Sequence, residues 1–127
     1  MLVAVAAASA LALFWPTLTQ GAAGGVGPTE AVLLMNREKA VLIDVCEPEE
    51  FVQGHVLGSK NIPLAQLETQ LPVTVKNKGV PVILVCQTGG RAARAAAQAK
   101  KLGYERAQAL AGGLKAWREA SLPTEKA

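Results

Sequence analysis

The sequence predicts an α/β domain in which helices cover both faces of a mainly parallel β-sheet. Two runs of branched apolar residues, AVLIDV at residues 40–45 and VPVILVC at residues 80–86, are typical of strands buried on both faces. Helical patterns precede and follow each run, so strands and helices alternate along the chain. Ligands of such sheets bind at the carboxyl ends of the strands, which is where Asp44 and Cys86 lie.

The predicted elements follow one another with short connections. A helix over residues 28–39 begins with Pro28 and Thr29, which favour a helix start. The segment EPEEF then forms a short helix, with Pro48 in its first turn and carboxylates near its positive end. An alanine-rich helix over residues 91–102 ends at Gly103. The remaining elements are an extended piece at residues 61–63, a helix at 64–71, a strand at 106–110 and a last helix at 114–120.

The N-terminal segment differs from the rest of the chain, because the first 29 residues carry no charged side chain. Within it, MLVAVAAASALALFWPTL has 18 residues and can cross a bilayer core as a helix. Lysine and arginine begin at Arg37, so the positive-inside rule predicts an inner-membrane protein whose domain faces the cytoplasm. A signal peptide cleaved near residues 21–23, and export, remain the alternative. The predicted parts are a membrane anchor or signal at 1–19, a Gly-rich linker at 20–28, a domain at 29–123 and a tail at 124–127.

Composition excludes several classes of partner. The chain has 127 residues, a length that predicts a single domain, and its net charge is only +3. Lysines and arginines form no long run and aromatic residues make up 4%, so no nucleic-acid partner is expected. Two cysteines without C-x-x-C spacing and a single histidine complete no metal set. We therefore expect no metal, and reduced thiols typical of a reducing compartment.

Cys86 closes a buried strand, and the next helix begins about five residues later. The backbone N–H groups of the connecting loop lack helical partners and can converge on one point. Gly89 and Gly90 permit the positive φ angles that a curled loop requires. The helix dipole and Arg91 both favour a negative charge there, so the pattern indicates a nucleophilic or anion-binding cysteine. An ordinary buried cysteine is the alternative.

Three segments together resemble the rhodanese sulfurtransferase family, from about Thr29 to Pro123: LIDVCEPEEFVQGHVLGSKNIPL, CQTGGR and LAGGLKAW. The resemblance implies a five-stranded parallel sheet flanked by helices on both faces. It also implies that Cys86 takes a sulfane sulfur from a small anionic donor such as thiosulfate. Cys86 would hold that sulfur as a persulfide and pass it to a nucleophilic acceptor, without a cofactor. The residues expected to bind the substrate are Gln87, Thr88, Gly89, Gly90 and Arg91.

The length of the loop separates this activity from phosphatase and arsenate reductase relatives of the fold. Four residues lie between Cys86 and Arg91, whereas the similar phosphatase loop has five and can surround a phosphoryl group. A non-enzymatic sulfur carrier or a membrane-tethered docking module remains open as an alternative. Gln87 and Thr88 are neutral where efficient thiosulfate enzymes of the family often place a cation, so thiosulfate is a weaker expectation than sulfur transfer itself.

Several further residues each have two interpretations. Asp44 resembles the family aspartate that steadies the active loop, or it caps the end of its strand. Cys46 stands where many family members have arginine; it either packs as a small filler or resolves a Cys86 persulfide as a disulfide. We expect His55 to fix the loop by hydrogen bonds rather than act as a base. The remaining predictions place a pocket-lining turn at Gly112 and Gly113, a core anchor at Trp117, and solvated surface residues at Glu49 and Glu50.

Overall fold

The computed structural model describes residues 25–126. The helices are α1 (Pro28–Glu38), α2 (Pro48–Gln53), α3 (Leu67–Thr74), α4 (Gly90–Lys101) and α5 (Gly113–Glu119), with a 3-10 turn at Leu64–Gln66. The strands are β1 (Gly25–Val26), β2 (Val41–Asp44), β3 (His55–Val56), β4 (Lys60–Asn61), β5 (Val82–Val85), β6 (Ala107–Leu110) and β7 (Thr124–Glu125). The predicted N-terminal apolar segment, residues 1–19, lies outside the described residues. Within residues 25–126, no helix is both long and apolar enough to span a bilayer.

Five strands form one parallel sheet in the order β1-β6-β5-β2-β4, which confirms the predicted α/β class and the five-stranded parallel sheet. β5 occupies the centre and pairs with β2 on one side and β6 on the other. In this register Asp44 lies opposite Val85 and also opposite Asn61 on β4. The carboxyl ends of the central strands therefore meet at one edge of the sheet, and Cys86 follows directly from that edge.

The sheet separates two layers of apolar side chains, because neighbouring residues in a strand point to opposite faces. On one face, Ile43 and Leu84 pack with α3 and α4; on the other, Leu42 and Ile83 pack with α1 and α5. Trp117 of α5 is fully enclosed in the second layer, and its Nε1 donates a hydrogen bond to the carbonyl of Pro123 at 2.8 Å. The prediction that Trp117 is a core anchor is confirmed.

The structure differs from the predicted elements where strands are very short. β1 lies within the predicted linker and pairs with β6, while β7 lies within the predicted tail and pairs antiparallel with β3. Two-residue strands carry no periodicity, so only their tertiary pairing defines them. The helix predicted at residues 64–71 instead begins with a 3-10 turn and continues through Pro72 to Thr74. Leu71 within this helix and Val75 at its C-cap are both buried, so the core holds the last turn in place.

Candidate active site

The loop after β5 surrounds the sulfur of Cys86 with backbone N–H groups. Gly89 precedes α4 as its N-cap with φ of 114°, a conformation that residues with a Cβ rarely adopt. This turn directs the N–H of Gly89 to the Sγ of Cys86 at 2.9 Å, and the N–H of Ala92 approaches the same sulfur at 3.4 Å. Both donors belong to the start of α4, where the helix dipole adds a positive field. The site is thus built to stabilise negative charge on the sulfur of Cys86.

The start of α5 holds the loop from behind. Leu114 N–H donates to the carbonyl of Cys86 at 2.8 Å, and Lys115 N–H donates to that of Gln87 at 3.1 Å. Gly113 makes this approach possible, since a Cβ there would collide with the carbonyl oxygen of Cys86 and lie 2.7 Å from the carbonyl carbon of Gln87. The predicted Gly112–Gly113 turn therefore does approach the loop. Because Gly113 has no Cβ, the start of α5 can pack directly against the backbone of the Cys86 loop.

The loop leaves a narrow approach to the thiol. Cys86 is only 2% exposed, whereas Thr88 and Gly90 lie at the surface. Thr88 and Gly89 also line a cavity of about 200 Å³ that is walled mainly by small apolar residues of β1, β6 and α4. The surface that covers the Cys86 thiol is therefore formed in part by the loop, at Thr88 and Gly90.

Arg91 does not stand alone at the loop, because Glu50 of α2 pairs with it. Its Nη1 and Nη2 donate to Oε1 and Oε2 of Glu50 at 2.7 and 3.1 Å, a bidentate ion pair. The hydrogen bond from Arg91 lowers the pKa of Glu50 below its ordinary value, and the same bond raises the pKa of Arg91. The prediction that Glu50 is an ordinary solvated residue was wrong. Nothing in the local sequence distinguishes Glu50 from other first-turn carboxylates, because its contact with Arg91 depends on β2 and β5 being neighbours in the sheet.

Asp44 lies at the end of β2 and is 1% exposed. Its Oδ1 accepts a hydrogen bond from the backbone N–H of Cys46 at 2.9 Å, the geometry expected of strand-end capping. Burial raises the pKa of this carboxyl group above its ordinary value. Asn61 supports the same turn by donating to the carbonyls of Asp44 and Cys46 at 3.0 and 2.9 Å. The hydrogen bonds of the Asp44 side chain therefore stabilise the turn after β2 and include none to the Cys86 loop.

Cys46 is fully buried beside the loop, and Nε2 of Gln87 approaches its Sγ at 3.8 Å. Burial, with the charge of Asp44 as a smaller contribution, raises the pKa of the Cys46 thiol to about 12. The thiol is therefore protonated at neutral pH, when a nucleophile would need to be a thiolate. Both cysteines are free thiols. These facts favour the packing interpretation of Cys46 over the resolving one.

Comparison with known proteins gives the family. A family model described as the rhodanese-like domain matches residues 27–120, which contain the sheet core, the Cys86 loop and α5. The chain belongs to the rhodanese-like domain family.

Three similar proteins illustrate how far this rhodanese-like domain is related to others. The uncharacterized protein YqhL of Bacillus subtilis is 44% identical over 89 residues, covering 70% of this chain and 69% of that protein. The thiosulfate sulfurtransferase GlpE of Pseudomonas putida is 28% identical over 104 residues, covering 80% of this chain and 90% of that protein. The solved human single-domain sulfurtransferase TSTD1 is 30% identical with a TM-score of 0.68, covering 76% of this chain and 96% of that one.

His55 of the rhodanese-like domain makes its contacts away from the Cys86 loop. Its Nδ1 donates to the carbonyl of Phe51 at 2.8 Å, its ring stacks on the Phe51 ring at 3.7 Å, and its Nε2 lies 3.3 Å from Oε2 of Glu125. These bonds join α2 to β7, so the hydrogen bonds of His55 fix that corner instead of the loop after Cys86. Across residues 25–126, no group of three His, Cys, Asp or Glu side chains is arranged to hold a metal ion.

Proposed function

We propose that this rhodanese-like domain is a sulfurtransferase in which Cys86 carries the sulfur as a persulfide. The Cys86 thiolate attacks the outer sulfur of thiosulfate, the S–S bond of the donor breaks, and sulfite leaves with the electron pair. A nucleophile such as cyanide then attacks the outer sulfur of the persulfide, and the Cys86 thiolate leaves, giving thiocyanate. Covalent catalysis of this kind divides one transfer into two easier steps.

The observation that carries the proposal is the pair of N–H groups, from Gly89 and Ala92, on the sulfur of Cys86. The same donors can stabilise the anionic sulfur at each stage, because thiolate and persulfide both carry their charge at this end of the side chain. The four-residue loop between Cys86 and Arg91 also supports sulfur over phosphoryl transfer, since it makes a ring smaller than the phosphatase ring.

A second function is favoured by one feature of the site. Gln87 and Thr88 are neutral and Arg91 is paired with Glu50, so the loop after Cys86 itself offers little free positive charge to an incoming thiosulfate dianion. A sulfur carrier or docking module that receives its sulfur from a less charged donor would need less positive charge at this site. Sulfur loading of Cys86 from a donor of lower charge, with little turnover on thiosulfate, would identify this role.

For the location, we propose that residues 1–19 anchor the protein in the inner membrane with the domain in the cytoplasm. The support is the absence of charge over the first 29 residues and the start of basic residues at Arg37. Membrane fractionation of full-length protein tests this proposal. A soluble protein beginning near Ala23 would instead indicate an exported enzyme.

The formation of a persulfide on Cys86 is tested by mass spectrometry of the purified protein after treatment with thiosulfate. We expect one added sulfur atom on the peptide that contains Cys86, and none after reduction with dithiothreitol. Cys86→Ser should retain the fold and lose both the added sulfur and the formation of thiocyanate, because a hydroxyl cannot form the persulfide. Undiminished turnover in Cys86→Ser would exclude Cys86 as the sulfur-carrying residue.

A further inference from the structure

The bidentate ion pair between Glu50 and Arg91 joins a helix that follows β2 to the first turn after the Cys86 loop. Residues 86–90 contain no charged side chain, so the guanidinium of Arg91 is the cation closest in sequence to the sulfur-binding loop. Arg91 lies between Gly89 and Ala92, whose backbone N–H groups both contact the sulfur of Cys86, so its side chain begins at the edge of the sulfur-binding loop. Glu50 thus neutralises the cation that is closest in sequence to the sulfur-binding loop.

We infer that Glu50 determines which donors the site accepts, by withholding the charge of Arg91 from the dianion thiosulfate and so favouring donors with a single negative charge. The inference rests on the proposed sulfur transfer and names the class of donor. Glu50 acts through Arg91 and touches no reacting atom, so it is a positioning residue.

The capping box of α2 orients the carboxylate of Glu50 that pairs with Arg91. Oε1 of Glu50 accepts both from Nη1 of Arg91 at 2.7 Å and from the backbone N–H of Glu47 at 3.0 Å, as part of a capping box at the start of α2. The carboxylate is therefore held in place by its own helix before it meets Arg91. The side chains of Glu50 and Arg91 are 36% and 31% exposed, so a donor entering from solvent meets a pair of nearly zero net charge.

Two donors that differ by one charge can reveal this effect. Thiosulfate carries two negative charges and releases sulfite; methanethiosulfonate carries one and releases methanesulfinate. In both reactions the Cys86 thiolate attacks the outer sulfur, the donor S–S bond breaks, and the leaving sulfur–oxygen anion takes the electron pair. The product on the enzyme is the same persulfide. Only the charge of the donor changes.

The decisive variant is Glu50→Gln, because glutamine keeps the acceptor for the N–H of Glu47 in the capping box. We expect the KM for thiosulfate to fall about fivefold, the size of a partly exposed ion-pair interaction, and that for methanethiosulfonate about twofold. kcat should change little for either donor. The matched control is Glu49→Gln, which removes an exposed carboxylate from the same turn of α2 and should leave both KM values unchanged.

A second measurement is independent of turnover. In a Cys86→Ser background, Glu50→Gln should tighten thiosulfate binding by the same factor, measured by calorimetry. Adding Arg91→Gln should remove that gain, since the released charge would be gone. An equal change for both donors, or no change in thiosulfate binding by a folded Glu50→Gln protein, overturns the inference. If the wild-type protein takes up sulfur from neither donor, the proposed function fails; if it takes up sulfur without the shift in donor preference, only the role of Glu50 fails.

Discussion

Replacing Gly113 with alanine tests whether the loop must sit in its present position for sulfur transfer. Gly113 has φ of 63°, and a Cβ added there would lie 2.7 Å from the carbonyl carbon and oxygen of Gln87. Ordinary van der Waals contact begins at 3.4 Å, so relieving the Gln87 contact alone requires the loop or α5 to move by about 0.7 Å, and the closer carbonyl oxygen of Cys86 requires more. The loop cannot move without displacing the N–H groups that converge on the Cys86 sulfur.

Two costs follow from this geometry. The positive φ angle alone costs alanine about 1–2 kcal/mol of stability. A displacement close to 1 Å at the reacting sulfur can lower the rate of transfer by about a hundredfold. We therefore expect Gly113→Ala to fold with reduced stability, and its kcat/KM for forming thiocyanate from thiosulfate and cyanide to fall by about two orders of magnitude.

Gly58 supplies a matched control for the strain. It has φ of 85°, and an added Cβ there would meet no atom within 4 Å, so Gly58→Ala introduces the backbone cost without the collision. We expect Gly58→Ala to lose a similar amount of stability by thermal denaturation and to keep its sulfurtransferase rate. A Gly113→Ala protein that turns over at the wild-type rate would show that close support by α5 is not required, and the reasoning from loop position would be refuted.

Two further predictions concern Cys46 and Glu50. Cys46→Ala should retain most sulfur transfer, because a thiol with a pKa of about 12 is not a nucleophile at neutral pH. Removing the buried thiol should cost about 1 kcal/mol of stability. A disulfide between Cys46 and Cys86 that forms under mild oxidation would contradict the packing role of Cys46. The lowered pKa of Glu50 means that its ion pair stabilises the fold above the ordinary pKa of 4.5 and is lost as the pH falls through the lower native value. The ion pair contributes at most about 1 kcal/mol to stability after solvent screening. The difference in melting temperature between wild type and Glu50→Gln should therefore shrink as the pH is lowered from 7 to 3. A difference that stays constant would argue against the ion pair.

The parts of the fold that were predictable are those whose signal is local. β2 and β5 are continuous apolar runs, and α4 has a strong alanine-rich pattern ended by glycine, so each could be predicted from its own residues. β1, β3 and β7 have two residues each and exist only because a distant strand lies beside them. No periodicity can develop over two residues, which is why β1 and β7 fell within the predicted linker and tail and residues 55–56 were assigned to no element.

The same distinction applies to the site. Cys86, the two glycines and Arg91 are contiguous, and the physics of a strand–loop–helix turn brings them together without information from elsewhere. Glu50 is 41 positions away from Arg91 and looks like any carboxylate in the first turn of a helix. What brings the two together is the adjacency of β2 and β5 in the sheet, a property of the topology rather than of either segment.

The two thiols show that burial alone does not distinguish the cysteine proposed to carry the sulfur. Cys46 and Cys86 are both buried, at 0% and 2% exposure, and each lies just after a central strand of the sheet. Their sulfur atoms have opposite surroundings: Cys86 accepts two backbone N–H groups at the start of a helix, while Cys46 lies near the carboxylate of Asp44, whose charge opposes ionisation. A converging set of donors favours an anionic sulfur, and a neighbouring carboxylate disfavours one. The difference between the two cysteines therefore follows from the direction of a few N–H groups, which supports the proposal that Cys86 carries the transferred sulfur while Cys46 packs in the core.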